Sequence, residues 1–266
     1  MYDIAVIGGG PAGLSAAVQA RARNKSVLVV SGDDRDNPVY RSSHIANYLG
    51  LPDSTGPELL ARFQAHADAV GVERRTGRVV SVMPMGDSFY LSVGSDMEQA
   101  RAVVLATGVV WANKLPGEEE HLGAGVSYCA TCDGMLYRGR TVAAIGSGEE
   151  FEKDVRFLED IGCTVLKFNG GRFEIEGGEK AELLRHEGEE YPVECVFILK
   201  STVSVGSMLP GVKTEGGRIV ADEKCATNIA GLFAAGDCTG APYQIAKAVG
   251  EGNIAALSAC EYLDKK

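Results

Sequence analysis

Residues 2–13 read Tyr2-Asp3-Ile4-Ala5-Val6-Ile7-Gly8-Gly9-Gly10-Pro11-Ala12-Gly13, and this stretch decides the fold. A short apolar run ends on Gly8. Gly8, Gly10 and Gly13 then form GxGxxG just ahead of residues 12–22, which have helix-forming composition. A valine-rich run follows at 26–30, so the opening reads strand, glycine turn, helix, strand. That context gives each glycine a task. The first permits the tight turn, the second lets backbone approach a pyrophosphate, and the third allows helix–strand packing. The helix start adds free N–H groups and a positive dipole end. The second strand ends at Val30-Ser31 with Asp33 and Asp34 slightly beyond, so the residue that meets a ribose is unassigned by pattern.

Outward from this unit, 57–70 spaces Leu59, Leu60, Phe63, Ala67 and Val70 on one helical face. Residues 78–82 and 88–93 read as strands joined at Gly86-Asp87, and 102–106 as a buried strand closed by Thr107-Gly108. The pattern then restarts: strand 141–145, glycine turn 146–148, helix 149–161, strand 164–168. A final strand, 231–234, ends at Gly236-Asp237, and 243–263 reads as a closing helix. The predicted fold is α/β, with two nucleotide-binding-like, three-layer domains of the Rossmann kind. The second is short and inserted in the first: 1–113 and 223–266 form one domain, 114–222 the other.

The 266 residues carry 26 Lys and Arg against 36 Asp and Glu, a net charge of −10, which argues against a nucleic-acid partner. No apolar run approaches the roughly 20 residues of a membrane span. Residues 1–10 enter a strand pattern with no basic leader, which predicts a cytoplasmic protein. Of seven cysteines only Cys129 and Cys132 are closely spaced. In a reducing compartment such a CxxC is redox-active or metal-binding rather than a structural staple. Zinc wants four ligands, and the other cysteines and the four histidines show no paired spacing, so no metal site is expected. The isolated cysteines read as small buried hydrophobes.

Taken in order, the GGGPAG start, Ala106-Thr107-Gly108, Cys129-Ala130-Thr131-Cys132-Asp133 and Ala234-Ala235-Gly236-Asp237 resemble the low-molecular-weight thioredoxin reductases over nearly the whole chain. The resemblance implies FAD on the domain made of the two chain ends, a dithiol on the insert, and a homodimer. It implies that Gly8, Gly10, Pro11, Ala12 and Gly13 line the FAD pyrophosphate. It also sets Asn47 near the flavin, Asp237 on the ribityl or pyrophosphate side, and Gln244, Ile245 and Ala246 at the isoalloxazine ring. Ser31, Thr107, Gly108 and Gly236 complete the cofactor set. The family usually has a basic residue followed by Gln at the start of the last helix, where this chain has Gln followed by Ile.

The second glycine turn departs further. In Gly146-Ser147-Gly148-Glu149-Glu150-Phe151 a phenyl ring takes the third, small-residue position, and two acids occupy the helix start. The next strand runs into Lys167-Phe168-Asn169-Gly170-Gly171-Arg172, without the arginine cluster that would clasp a 2′-phosphate. In these features, and in the stretch 47–53, the chain looks like the ferredoxin-dependent flavin thioredoxin reductases of anaerobes. The implied donor is reduced ferredoxin and the implied acceptor thioredoxin. By analogy Cys132 is the flavin-facing thiol, Cys129 attacks thioredoxin, and Asp133 is the acid/base. Ferredoxins are usually acidic, so docking calls for a basic patch, either Arg21, Arg23 and Lys25 or Arg74, Arg75 and Arg78. The alternatives are an NAD(P)H-dependent or oxygen-consuming dithiol enzyme, and a non-catalytic flavin redox sensor.

Overall fold

The computed structural model describes residues 1–40, 42–108, 115–118, 120–128, 130–199 and 205–266, without the side chains of 132, 149, 150 and 207. The chain divides into two compact units, Met1–Val110 with Ser204–Lys266, and Trp111–Val203. The sequence reading drew the insert's far limit at 222. The stretch 205–222 belongs instead with the chain ends. Its backbone is tied there: Lys213 N donates to Asn228 Oδ1 at 2.8 Å, and Asn228 Nδ2 donates to Gly211 O at 2.9 Å.

In the first unit the order is β1 (Tyr2–Ile7), α1 (Pro11–Arg21), β2 (Val27–Ser31), α2 (Gly56–Ala69), β3 (Glu73–Thr76), β4 (Val79–Met85), β5 (Ser88–Val93) and β6 (Asp96–Leu105). The sheet runs β3-β2-β1-β6-β5-β4. The β1, β2, β3 and β6 pairings are parallel, and β4, β5 and β6 form an antiparallel meander. Strand β6 is long enough to serve two neighbours on one edge. It pairs β5 at Asp96–Ala100 and the late strand β16 (Leu232–Ala234) at Val103–Leu105. Ile4, Ala5, Val6 and Val27 to Val30 are all buried, as expected of parallel strands covered on both faces. Helix α2 opens with a capping box between Thr55 and Glu58. Its Leu59, Leu60 and Ala67 are buried, and Phe63 and Val70 pack against the same core.

The second unit contains β7 (Val126–Ser127), α3 (Ala130–Asp133), β8 (Thr141–Gly146), α4 (Glu149–Asp160), β9 (Thr164–Phe168), β10 (Phe173–Gly177), β11 (Ala181–His186), β12 (Glu189–Pro192) and β13 (Cys195–Leu199). A parallel sheet runs β7-β13-β8-β9, and an antiparallel one β10-β11-β12. The chain returns to the first unit through the short α5 (Val205–Met208), the hairpin β14 (Thr214–Glu215) and β15 (Arg218–Ile219), β16 and α6 (Ile245–Asp264).

Helices α1 and α6 meet through small residues. Ala12, Gly13, Ala16, Ala17 and Ala20 are buried on one, and Ala248, Gly252, Ala255, Ala256 and Ala259 on the other. Ser15 Oγ donates to Val249 O at 2.7 Å, and Asn253 Nδ2 to Gln19 Oε1 at 3.3 Å. The approach is so close that a methyl at position 252 would sit 2.1 Å from Ala12 O. Gly252→Ala should therefore destabilise the protein by about 1–3 kcal/mol through overpacking. Gly250→Ala, on the same helix with open space around it, should be neutral or stabilising by up to about 1 kcal/mol. Thermal unfolding of the two variants checks this.

Candidate functional site

Strands β1, β2, β6 and β16 are parallel neighbours, so their carboxyl ends lie along one edge of the sheet. Open α/β sheets bind ligands outside that edge. Gly8 leaves β1 at φ +117°, and a methyl there would fall 2.1 Å from Ala106 O. Gly13 is as constrained, since its methyl would lie 1.9 Å from Gly8 O. Gly10 is the residue before α1. No side chain caps this helix and Pro11 has no N–H, which leaves the amides of Ala12 and Gly13 without intrahelical acceptors. Ser31, at the end of β2, packs beside Gly9, where a methyl would meet its Cβ and Oγ at 2.8 Å.

The α1–α6 packing carries the 236–240 turn to this same edge. A methyl on Gly236 would sit 2.8 Å from Ala12 Cβ. Thr107 Oγ1 and Asp237 Oδ1 are buried without a hydrogen-bond partner among the described residues. Thr107 has the neighbouring Cys238 thiol as polar company. Asp237 Oδ1 has no such company, and burial holds its carboxyl above the ordinary range against the pull of Lys247. Gly108 follows at φ +72°. Asn47 and Gln244, 197 residues apart, are joined by a hydrogen bond from Asn47 Nδ2 to Gln244 Oε1 at 3.0 Å. Gln244 precedes α6, and Ile245 and Ala246 form its first turn. The structure thus brings the predicted chain-end positions into one unit around one sheet edge.

The orphaned Asp237 oxygen, the crowded glycines and the uncapped helix start fit a dinucleotide with hydroxyls to donate and a pyrophosphate to receive amides. Sequence reasoning missed Lys247 and Glu251, an i,i+4 ion pair at 3.2 Å under this turn. The Lys-x-x-x-Glu spacing at the start of the final helix was the available signal.

In the second unit, Cys129 lies outside the described residues, and only the backbone of Cys132, on α3, is described. Buried Ser127, on β7, donates through Oγ to Asp133 Oδ2 at 2.7 Å. Tyr128 donates to the buried Glu118 carboxylate at 2.7 Å, and the other oxygen of Glu118 accepts from Leu115 N at 2.8 Å. Just beyond the dithiol, Met135 and Leu136 are 56% and 77% exposed.

Phe151 is buried with Val142, Ala144, Val155, Leu158, Phe197 and Leu199. Its ring lies against the first glycine of the second turn, where a methyl on Gly146 would meet Phe151 Cδ2 at 2.6 Å, while Gly148 has open space around it among the described residues. Lys167 pairs with Glu152 and Glu159 at 3.6 and 3.5 Å. The side chains of Glu149 and Glu150 lie outside the description.

The remaining cysteines are buried free thiols. Burial pushes Cys195 up to about 12 and Cys225 and Cys238 up to about 11, so all three are poor nucleophiles. The two expected basic docking patches are not bare cationic surfaces. Arg21 donates to Val70 O and Lys25 O, and Lys25 pairs with Asp264. Arg74 pairs with Asp68, and Arg75 with Asp96 and Glu98. Acids on other elements, invisible to a local charge count, pair with Lys25, Arg74 and Arg75. Among the described residues no cluster is disposed to hold a metal, and no helix is long and apolar enough to cross a membrane.

A family model described as pyridine nucleotide-disulphide oxidoreductase matches residues 2–149 and 161–252. The chain belongs to this family. It is therefore an oxidoreductase by descent, and its thioredoxin reductase homologues are FAD-binding flavoproteins. A crystal structure of a ferredoxin-flavin thioredoxin reductase from Clostridium acetobutylicum is 40% identical with a TM-score of 0.92, covering 99% of this chain and 98% of that one. The thioredoxin reductase of Bacillus subtilis strain 168 is 27% identical over 100% of this chain and 96% of its own length. An NADH dehydrogenase of the same strain is 31% identical over 98% of this chain, and the chain spans only 58% of that longer protein.

Asp237 yields a stability prediction. A carboxyl held above its ordinary 3.8 binds a proton that the unfolded chain has already released. Its destabilisation is absent at low pH and grows as pH rises past that value. Ligand-free Asp237→Asn should melt above the parent at neutral pH, with the gap closing on acidification. Thermal unfolding across a pH series checks this.

Proposed function

We propose that this chain is a ferredoxin-dependent flavin thioredoxin reductase, in which electrons from reduced ferredoxin reach thioredoxin through FAD and the Cys129–Cys132 dithiol. The observation that carries the choice of donor is the altered second glycine turn. Phe151 takes the small-residue position that packs helix against strand, its ring lies against Gly146, the acids Glu149 and Glu150 stand at the helix start, and Lys167 on the strand that follows is paired with Glu152 and Glu159 of α4. The likeness to the Clostridium acetobutylicum enzyme supports the same donor.

In this reading FAD belongs to the first unit. Gly8, Gly10, Pro11, Ala12 and Gly13 receive its pyrophosphate, with Ser31, Thr107, Gly108 and Gly236 alongside. The carboxylate of Asp237, an acceptor only, takes a hydroxyl of the ribityl chain. Asn47, Gln244, Ile245 and Ala246 meet the ring. FAD supplies the conversion from single electrons delivered by ferredoxin to the electron pair that opens a disulfide.

The second unit contributes the dithiol. Cys129 as thiolate attacks one sulfur of the thioredoxin disulfide, forming a mixed disulfide and releasing the other thioredoxin sulfur. Cys132 then attacks Cys129, which closes the Cys129–Cys132 disulfide and frees reduced thioredoxin. Asp133, held by the Ser127 hydroxyl, moves the protons that the departing thiolates require. The exposed Met135 and Leu136 give a protein substrate an apolar surface beside the dithiol. The working form is taken to be a cytoplasmic homodimer, on the family resemblance.

Ferredoxin-driven thioredoxin reduction tests the assignment. Cys129→Ser should lower turnover by about a hundredfold or more, since the attacking nucleophile is gone. Cys132→Ser should accumulate a covalent adduct with thioredoxin on non-reducing gels, because the resolving thiol is gone. Full turnover by Cys129→Ser would overturn the roles.

A further inference from the structure

The 236–240 turn is held by more than its own backbone. Gly236 and Gly240 bound it at φ +86° and +117°, a region that residues with a Cβ rarely adopt. Underneath lies Lys247, the third residue of α6. A cation in a first helical turn opposes the helix dipole, and this one is also largely buried, with 17% of its side chain exposed. A local rule broken at a candidate site calls for a compensating gain.

That gain is visible in the partners. Lys247 Nζ donates to Gly236 O at 2.9 Å, Gly240 O at 2.6 Å and Thr239 Oγ1 at 3.1 Å, and pairs with Glu251 Oε2 at 3.2 Å. Glu251 Oε2 in turn accepts from Gly236 N at 2.8 Å and Thr239 Oγ1 at 3.0 Å. An ammonium has three donors, and four acceptors of the protein already surround this one. Lys247 therefore has no hydrogen left for a ligand. The network saturates the polar groups at both ends of the turn. Among the described residues it leaves one buried oxygen of the turn without a partner, Asp237 Oδ1.

We propose that Lys247 and Glu251 are positioning residues: a charged clamp that fixes the 236–240 turn so that the Asp237 carboxylate is presented to FAD rather than absorbed by the protein. The inference rests on the FAD reading above and assigns it two residues beyond the glycine turns. The clamp acts through Asp237, so its loss and the loss of Asp237 remove one and the same interaction. Non-additivity of that kind separates a positioning pair from a pair that merely stabilises α6.

The test is the rate at which the holoprotein releases FAD on dilution, read by recovery of flavin fluorescence, together with the flavin's reduction potential. Lys247→Met should speed release by about tenfold or more and shift the potential, while Lys247→Arg, which keeps the charge and the donors, should restore most of the parent behaviour. Asp237→Asn should speed release comparably, and the double variant should be no faster than the faster single variant. If Lys247→Met proves poorly folded, Glu251→Gln takes its place in the cycle with the same expected pattern. Release at the parent rate from Lys247→Met, or effects that multiply in the double variant, would overturn the clamp while leaving the FAD reading intact. A parent protein that binds no FAD would refute that reading itself.

Discussion

The close approach of α1 and α6 is the constraint on which the first unit turns. Position 252 has no room for a methyl group against the Ala12 carbonyl, and the small residues along both helices let their backbones draw together. One helix starts at residue 11 and the other ends at 264, so this packing closes the ends of the chain over the same sheet. It also sets the 236–240 turn against Ala12, beside the glycine turn that follows β1. The convergence of the 236–240 turn and the first glycine turn on one sheet edge follows from that contact.

The two glycine turns began from the same pattern and differ in what fills them. At the first, residues 8–13 keep every Cβ out of the way and the helix start is left uncapped by any side chain. At the second, a phenylalanine stands where a small residue would be required, and burial with six apolar neighbours makes its ring part of the core rather than a movable lid. The ring takes the helix–strand packing position and lies against Gly146, while Gly148, the glycine a pyrophosphate would approach, has open space around it among the described residues. Two acids stand at the second helix start and none at the first, so charge opposes a pyrophosphate at the second turn and not at the first. The proposal of a protein electron donor rests on this asymmetry.

Much of this was legible in the sequence because it depends on local rules. The βαβ opening, its repeat at 141–168 and the helix over 57–70 carry their periodicity openly, and the structure finds them within a residue or two. Strand β3 was not legible. Its residues Glu73, Arg74, Arg75 and Thr76 are strand by virtue of pairing with β2 at the sheet edge, not by apolar pattern. The three strands over 173–192 were likewise hidden, since they are short and rich in charged residues, some joined across the strands in ion pairs such as Arg185 with Glu176 and Glu190. Long-range partners were the common gap. The acids that pair with Lys25, Arg74 and Arg75 come from other elements, and the tie between Asn47 and Gln244 spans most of the chain. The boundary of the insert failed for the same reason, because residues 205–222 are claimed by hydrogen bonds to segments that follow them.

The central claim is that electrons enter this flavoprotein from a one-electron protein donor and not from a pyridine nucleotide. The most direct measurement is anaerobic absorbance of the purified holoprotein, first with excess NADPH and then with reduced ferredoxin. NADPH is expected to leave the oxidised flavin band unchanged, and ferredoxin to bleach it. Prompt bleaching by NADPH would contradict the claim and would mean that the altered second turn still admits a nucleotide.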